Sequence, residues 1–109
     1  MTYAWEITSH VLAYESLTVS TVSIGITAAT YQATTGNLLA AKRAIIQNRS
    51  LDSGAINYRV DGTAPTGSTG TELYPGDSVE LDGIGAISQF RAIRKTGEPD
   101  AILLITTYS

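Results

Sequence analysis

Short runs of alternating apolar and polar side chains recur along this chain at spacings of roughly 8 to 12 residues, each ended by turn-forming residues. A half-buried β-strand needs a period of two, because successive side chains point to opposite faces. Seven or eight such runs, with no helical pattern alternating between them, argue against a parallel α/β sheet and predict a sandwich or barrel. The 109 residues form one domain, residues 1–109, long enough to bury a core without disulfides. The expected fold is therefore all-β: a single antiparallel β-sandwich, jelly-roll-like, of about seven or eight short strands.

The central stretch from Tyr58 to Asp82 organises the rest. Ile56, Tyr58 and Val60 alternate with Asn57, Arg59 and Asp61 before it, and Val79 and Leu81 alternate with Ser78, Glu80 and Asp82 after it. Between them, Asp61-Gly62, Pro65, Gly67, Gly70 and Pro75-Gly76 supply turns and breaks, so a long exposed loop is expected. Tyr74-Pro75-Gly76-Asp77 has proline and glycine at the central positions of a type II turn.

Other segments follow the same logic. Tyr3, Trp5 and Ile7 alternate in a first strand, and Val11 to Tyr14 forms a short apolar segment before a turn at Glu15-Ser16. The β-branched run from Leu17 to Ser23 has strand propensity but no clear face, a pattern that fits burial on both sides or contact with a neighbour. Gly25, between Ile24 and Ile26, marks a bulge or a close backbone approach. Ala28 to Asn37 is expected as an exposed connection. Leu38 to Ala44 has helix propensity, with Asn37 as a cap, yet it runs into a strand over Lys42 to Asn48; helix and strand stay open there. That strand and Ile56 to Val60 look like a hairpin across Leu51-Asp52-Ser53-Gly54, and the last strand is Ala101 to Tyr108.

Chemistry is sparse. Without cysteine there is no disulfide, thiol nucleophile or zinc-thiolate site. Seven basic against ten acidic residues, with no cationic strip, argue against nucleic acid. The N-terminus lacks the basic start and apolar stretch of a signal peptide, and no apolar run approaches the ~20 residues that cross a bilayer, so a soluble chain made in a cytoplasm, with no membrane partner, is expected. His10 is the only histidine, and no GxSxG elbow presents a serine to it. Asp52, Asp61, Asp77 and Asp82 match no calcium loop and each suits a turn. Asp82 to Ser88 begins like a dinucleotide-binding turn but lacks the third glycine and the following helix, so it reads as a glycine-rich turn and no cofactor is expected. Asn48-Arg49-Ser50 fits the N-glycosylation pattern, but without a secretory signal it reads as a turn. The candidate interface residues are the loop positions Tyr31, Thr63, Pro65, Thr66 and Tyr74.

The second half also resembles a known group. Ala41-Lys42-Arg43-Ala44-Ile45-Ile46, then Tyr58 to Thr66 (YRVDGTAPT), Gly70, Gly76-Asp77 and Phe90-Arg91-Ala92-Ile93-Arg94 are similar to a pattern in small structural proteins of tailed bacteriophages and prophages. The resemblance covers about Ala41 to Tyr108. It implies a non-enzymatic virion component with a β-sandwich fold, assembled in the host cytoplasm. A capsid decoration or cement protein that forms a symmetric homo-oligomer, a trimer among the candidates, and binds the major capsid protein is the leading expectation. A head-to-tail or tail-associated component, built by strand addition through Met1 to Ala4 or Leu104 to Ser109, is the first alternative. A carbohydrate-binding module or small glycosidase using Tyr31 or Tyr74 with Glu72 and Asp77 is the second.

Overall fold

The computed structural model describes residues 11–32 and 40–108. In chain order these form β1 (Val11–Val19), β2 (Ile24–Gly25), α1 (Ala28–Tyr31), β3 (Arg43–Asn48), β4 (Ile56–Arg59), β5 (Thr71–Leu73), β6 (Ser78–Asp82), α2 (Ile84–Gln89), β7 (Arg91–Arg94) and β8 (Ala101–Tyr108). Two four-stranded antiparallel sheets result, sheet A in the order β1-β8-β3-β6 and sheet B in the order β2-β7-β4-β5. Strands pair first with last, second with seventh, third with sixth and fourth with fifth. One long hairpin has been rolled up, and the β3–β8 and β4–β7 ladders close the roll. That connectivity is the jelly roll, in agreement with the fold class read from the sequence.

The core lies between the sheets. Leu17, Val19, Ala44, Ile46, Leu81, Leu103 and Ile105 enter from sheet A; Ile56, Leu73 and Ala92 enter from sheet B. Phe90 is fully buried where α2 hands over to β7, and the Tyr58 ring leans on it at a centroid distance of 5.6 Å. A Cβ on Gly25 would lie 2.8 Å from the Phe90 carbonyl oxygen, so the expected close backbone approach is present there. The helices α1 and α2 pack on each other and on β1, β3 and β6, closing one mouth of the sandwich. Thr107 Oγ1, buried in β8, lies 2.6 Å from the Thr30 carbonyl and fixes α1 there.

Several expectations are corrected. The segments Lys42 to Asn48 and Ile56 to Val60 are not a hairpin: β3 lies in sheet A and β4 in sheet B. Both strands alternate, but alternation does not name a partner, and the connection 49–55 arches from one sheet to the other. No turn interrupts Glu15-Ser16, since β1 runs through to Val19 with a register shift only between Val11 and Ala13. The glycine-rich turn at Asp82 to Ser88 contains α2, whose Ile87 is fully buried. Ala28–Tyr31 is helical rather than an exposed loop, with Thr30 buried. The central loop is shorter than expected, because Thr71–Leu73 forms a strand on β4. The strand over Tyr3 to Ile7, His10 and positions Leu38 and Leu39 lie outside the described residues.

At the mouth opposite the helices one side chain joins three loops. Asn48, 1% exposed, donates from Nδ2 to the carbonyls of Gly54 (2.9 Å) and Leu73 (3.0 Å), and its Oδ1 accepts from Ser50 N (3.0 Å). Its backbone donates to Asp77 O and accepts from Gly76 N, both at 2.9 Å. The glycosylation-like triplet is thus a structural joint, with its amide consumed in the interior. Beside it, Glu98 Oε1 accepts from Gly54 N (3.1 Å) and Ala55 N (2.9 Å). Replacing Asn48 by alanine strands two buried carbonyls and an amide, and urea denaturation is expected to show a loss of about 2–4 kcal/mol. Arg49→Ala, at an exposed neighbour, should stay within ~0.5 kcal/mol of the parent.

Candidate functional site

The loop between β4 and β5 is laid on the outer face of sheet B. Ile56 and Tyr58 face the core, so Asn57 and Arg59 face outward, in register with Ile93 and Arg91 of β7. Asn57 is nevertheless 2% exposed, because the loop covers it. Its Nδ2 donates to Thr66 O at 3.0 Å. Thr66 and Thr69 exchange backbone hydrogen bonds of 3.0 and 3.2 Å around Gly67-Ser68, and Thr96 N donates to Gly67 O at 2.9 Å. The loop therefore crosses β4 and reaches the turn after β7. Gly70 sits at φ +138°, and a Cβ there would meet Asn57 Cβ at 3.0 Å and Tyr58 O at 3.2 Å. Only glycine lets the chain turn back this close to β4.

Charges on this face are paired. Arg59 and Arg91 stand directly opposite one another, a repulsive arrangement in a sheet. Each is held separately: Arg59 forks onto Asp61, with Nε 3.1 Å from Oδ1, whereas Arg91 Nη2 donates to Ser23 O (2.8 Å) and Oγ (2.9 Å). The hydrogen bond from Arg59 and one from Thr63 N hold the Asp61 carboxyl at about 2, well below its usual range. Lys95 binds Glu72, and its Nζ lies 3.4 Å from Tyr74 Oη and 5.4 Å from the ring centroid. Hydrogen bonds from Lys95 and Tyr74 lower the Glu72 pKa, and the hydrogen bonds that Lys95 makes with Glu72 and Tyr74 raise its own. The two backbone amides donated to Glu98 lower its pKa as well.

Two shallow clefts flank the loop. One, of about 370 Å³, is lined by Arg59, Val60, Asp61, Gly70 and Thr71. The other, of about 300 Å³, lies among Thr21, Gly67, Ile93, Arg94, Lys95, Thr96 and Gly97. Their ionisable groups are salt-bridged: Arg59 to Asp61, Lys95 to Glu72, and Arg94 to Asp100 at 2.7 Å. A carboxylate kept ionised by an arginine is a poor general acid and a weak base at neutral pH. Among the described residues no group of three His, Asp or Glu side chains is arranged to hold a metal ion.

The candidate interface residues fall into two sets. Thr63, Thr66 and Tyr74 are exposed. Pro65 is buried beneath the loop, and Tyr31 packs against the core, so neither is a freely exposed contact. Composition made the loop read as exposed surface; the clue to its docking was Asn57, a polar residue in mid-strand whose Nδ2 is taken up by Thr66 O of the overlying chain, while its Oδ1 is buried without a hydrogen-bond partner among the described residues. The most exposed apolar side chains went unselected. Leu51 is 93% exposed and Val22 72%, on the β3–β4 and β1–β2 loops, at the same end as Tyr74 on the β5–β6 turn. Comparison with protein-family models, with curated proteins and with solved structures finds no match for this chain.

Two measurements test this description. Gly70→Ala forces a side chain into a left-handed position against Asn57, and a loss of about 1–3 kcal/mol is expected in chemical denaturation. Asp61 binds a proton less readily in the folded state than in the unfolded chain. Its contribution to stability is complete above its ordinary pKa of 3.8 and is lost as pH falls toward about 2. Glu72 and Glu98 act in the same direction. Melting temperatures should fall on acidification below pH 4, and less steeply in Asp61→Asn.

Proposed function

We propose that this chain is a non-enzymatic structural protein of a bacteriophage virion, a decoration protein that forms a homo-oligomer and bridges neighbouring subunits of the major capsid protein. The observation that carries this reading is the distribution of surface chemistry. Ionisable groups around the clefts are locked in pairs, while large apolar side chains stand exposed on Leu51, Val22 and Tyr74 at one end and on Tyr14 and Ile102 of sheet A. Such side chains serve contact rather than reaction. The phage-like residues Arg59, Asp61, Gly62, Thr63, Pro65 and Thr66 build the docked loop, so the motif acts by shaping a surface. Many copies of a modest contact, made only with the assembled shell, stabilise that shell by mass action.

The glycosidase alternative is less well supported. Glu72 is tied to Lys95 with a lowered pKa, the reverse of what a general acid requires. The connector or tail alternative keeps one specific observation in its favour, the long edge of β1.

Cryo-electron microscopy of purified virions, with copies counted against the major capsid protein, is the deciding measurement. Copies in proportion to the capsid subunits, with the Leu51–Tyr74 end on the head lattice, are expected. A dozen or fewer at a vertex or on the tail would move the protein to the connector, and absence from the particle would overturn the virion assignment.

A further inference from the structure

The loop between β4 and β5 is fastened to the rest of the molecule by few bonds. From Thr63 to Thr69, Pro65 alone is buried and Gly67 is half-buried; the other residues are exposed. Its hydrogen bonds are mostly its own: Thr66 and Thr69 bond to each other in both directions, and Ser68 N donates to Thr66 Oγ1 at 3.3 Å. At its start Thr63 N donates to Asp61 Oδ1 at 3.2 Å, within the turn. Beyond that turn, two bonds among the described residues reach the body of the protein, from Asn57 Nδ2 to Thr66 O (3.0 Å) and from Thr96 N to Gly67 O (2.9 Å). Gly62 at φ +85° and Gly70 at φ +138° bracket the segment, and glycine is the residue whose backbone turns most freely. Closure also has a cost on the sheet side. Asn57 Oδ1 is buried with no hydrogen-bond partner among the described residues, and exchanging the two ends of the amide would set Oδ1 against the Thr66 carbonyl, acceptor to acceptor. Nearby backbone donors are committed elsewhere, Lys95 N to Ala55 O and Thr69 N to Thr66 O.

We propose that residues 63–69 form a strap that lifts off the outer face of sheet B as one piece, pivoting at Gly62 and Gly70, in openings far more frequent than unfolding of the domain. Openings of this kind arise where few apolar contacts are buried and the backbone bonds lie close to solvent. Lifting breaks the two latches and uncovers Pro65. In return it gives Asn57 Oδ1 access to water, and the mutual bonds of Thr66 and Thr69 travel with the strap. The movement bares Asn57 and its cross-strand neighbour Ile93, and it widens the cleft of about 300 Å³ that Ile93, Gly67 and Thr96 already line. The outer face of sheet B is thus covered conditionally: the polar amide and the aliphatic side chain beside it become accessible together, in the open form alone.

Hydrogen exchange followed by NMR on the full-length chain tests the strap, and it needs neither an oligomer nor a particle. In the wild type, Thr96 N–H and the Asn57 side-chain amide are expected to exchange at least about 100-fold faster, relative to their unprotected rates, than the Ile105 amide. Low concentrations of urea should leave both unchanged while accelerating Ile105, which is fully buried in β8 and follows global unfolding. Because the latches open together, losing one must weaken the other. Asn57→Ala should speed exchange at Thr96, and Gly67→Ala, whose methyl would overlap Thr96 Oγ1, should speed exchange at the Asn57 amide, each at least about tenfold. Thr96 exchanging no faster than Ile105, or either variant leaving the opposite latch within about threefold of its wild-type rate, would overturn the strap. Each variant reads a different latch, so if one fails to fold the other still decides.

Discussion

The rolled hairpin depends on what happens to backbone polar groups where the chain leaves one sheet for the other, and at the loop-bearing mouth the Asn48 amide answers that requirement. Each sheet change strands carbonyls and amides that no ladder can reach, and an unpaired buried group costs about 1–3 kcal/mol. Asn48 serves the β3–β4 arch through Gly54 and Ser50, the end of β5 through Leu73, and the β5–β6 turn through its own backbone. Glu98, from the β7–β8 loop, completes the arch by taking the amides of Gly54 and Ala55. Arg94 N donates to Ser20 O at 3.0 Å and ties in the β1–β2 loop. All four crossings at this mouth are thereby secured by a few polar groups, and the apolar faces of the two sheets are held in register above them.

What the sequence disclosed and what it concealed follow from the range of the interactions involved. Alternation is local, so β3, β4, β6 and β8 were legible, as was the turn at Tyr74–Asp77, whose closing bond from Asp77 N to Tyr74 O measures 2.9 Å. Sheet membership is not local. Ile45-Ile46 and Ile56-Asn57-Tyr58 carry equivalent patterns, yet the partners of the first pair are 33 to 61 positions away and those of the second, on β5, 13 to 17. The hairpin inferred between neighbouring runs therefore failed, while the overall jelly-roll class was recovered. The helix α2 was missed for another reason. Six residues containing glycine and one buried isoleucine are too few to establish a helical period.

The surface loop was read as exposed, and most of it is, but its docking onto sheet B depends on tertiary context. Small and polar residues from Gly62 to Gly70 suggest mobility in isolation, but Asn57, Pro65 and Thr96 convert the segment into a fixed cover. Of the interface candidates, Thr63, Thr66 and Tyr74 stayed on the surface because they ride on the outside of that cover or beyond it. Leu51 and Val22 were passed over because a single apolar residue in a loop has no periodic signature. Only their exposure distinguishes them from core side chains.

The two outer faces consequently have different physical standing. Sheet B is closed by its own chain: the loop covers Asn57, salt bridges engage Arg59, Arg94 and Lys95, and Arg91 is held by Ser23. Sheet A has no such cover among the described residues. Its central strand β8 reads Ala-Ile-Leu-Leu-Ile, a near-continuous apolar run that suits a strand contacted on both faces. Leu103 and Ile105 satisfy the inner face, whereas Ile102 and Leu104 point outward beside Thr18 and Ser16 of β1. They sit beside the nine-residue β1, so the outer face of sheet A presents aliphatic side chains where the outer face of sheet B is covered by its own loop.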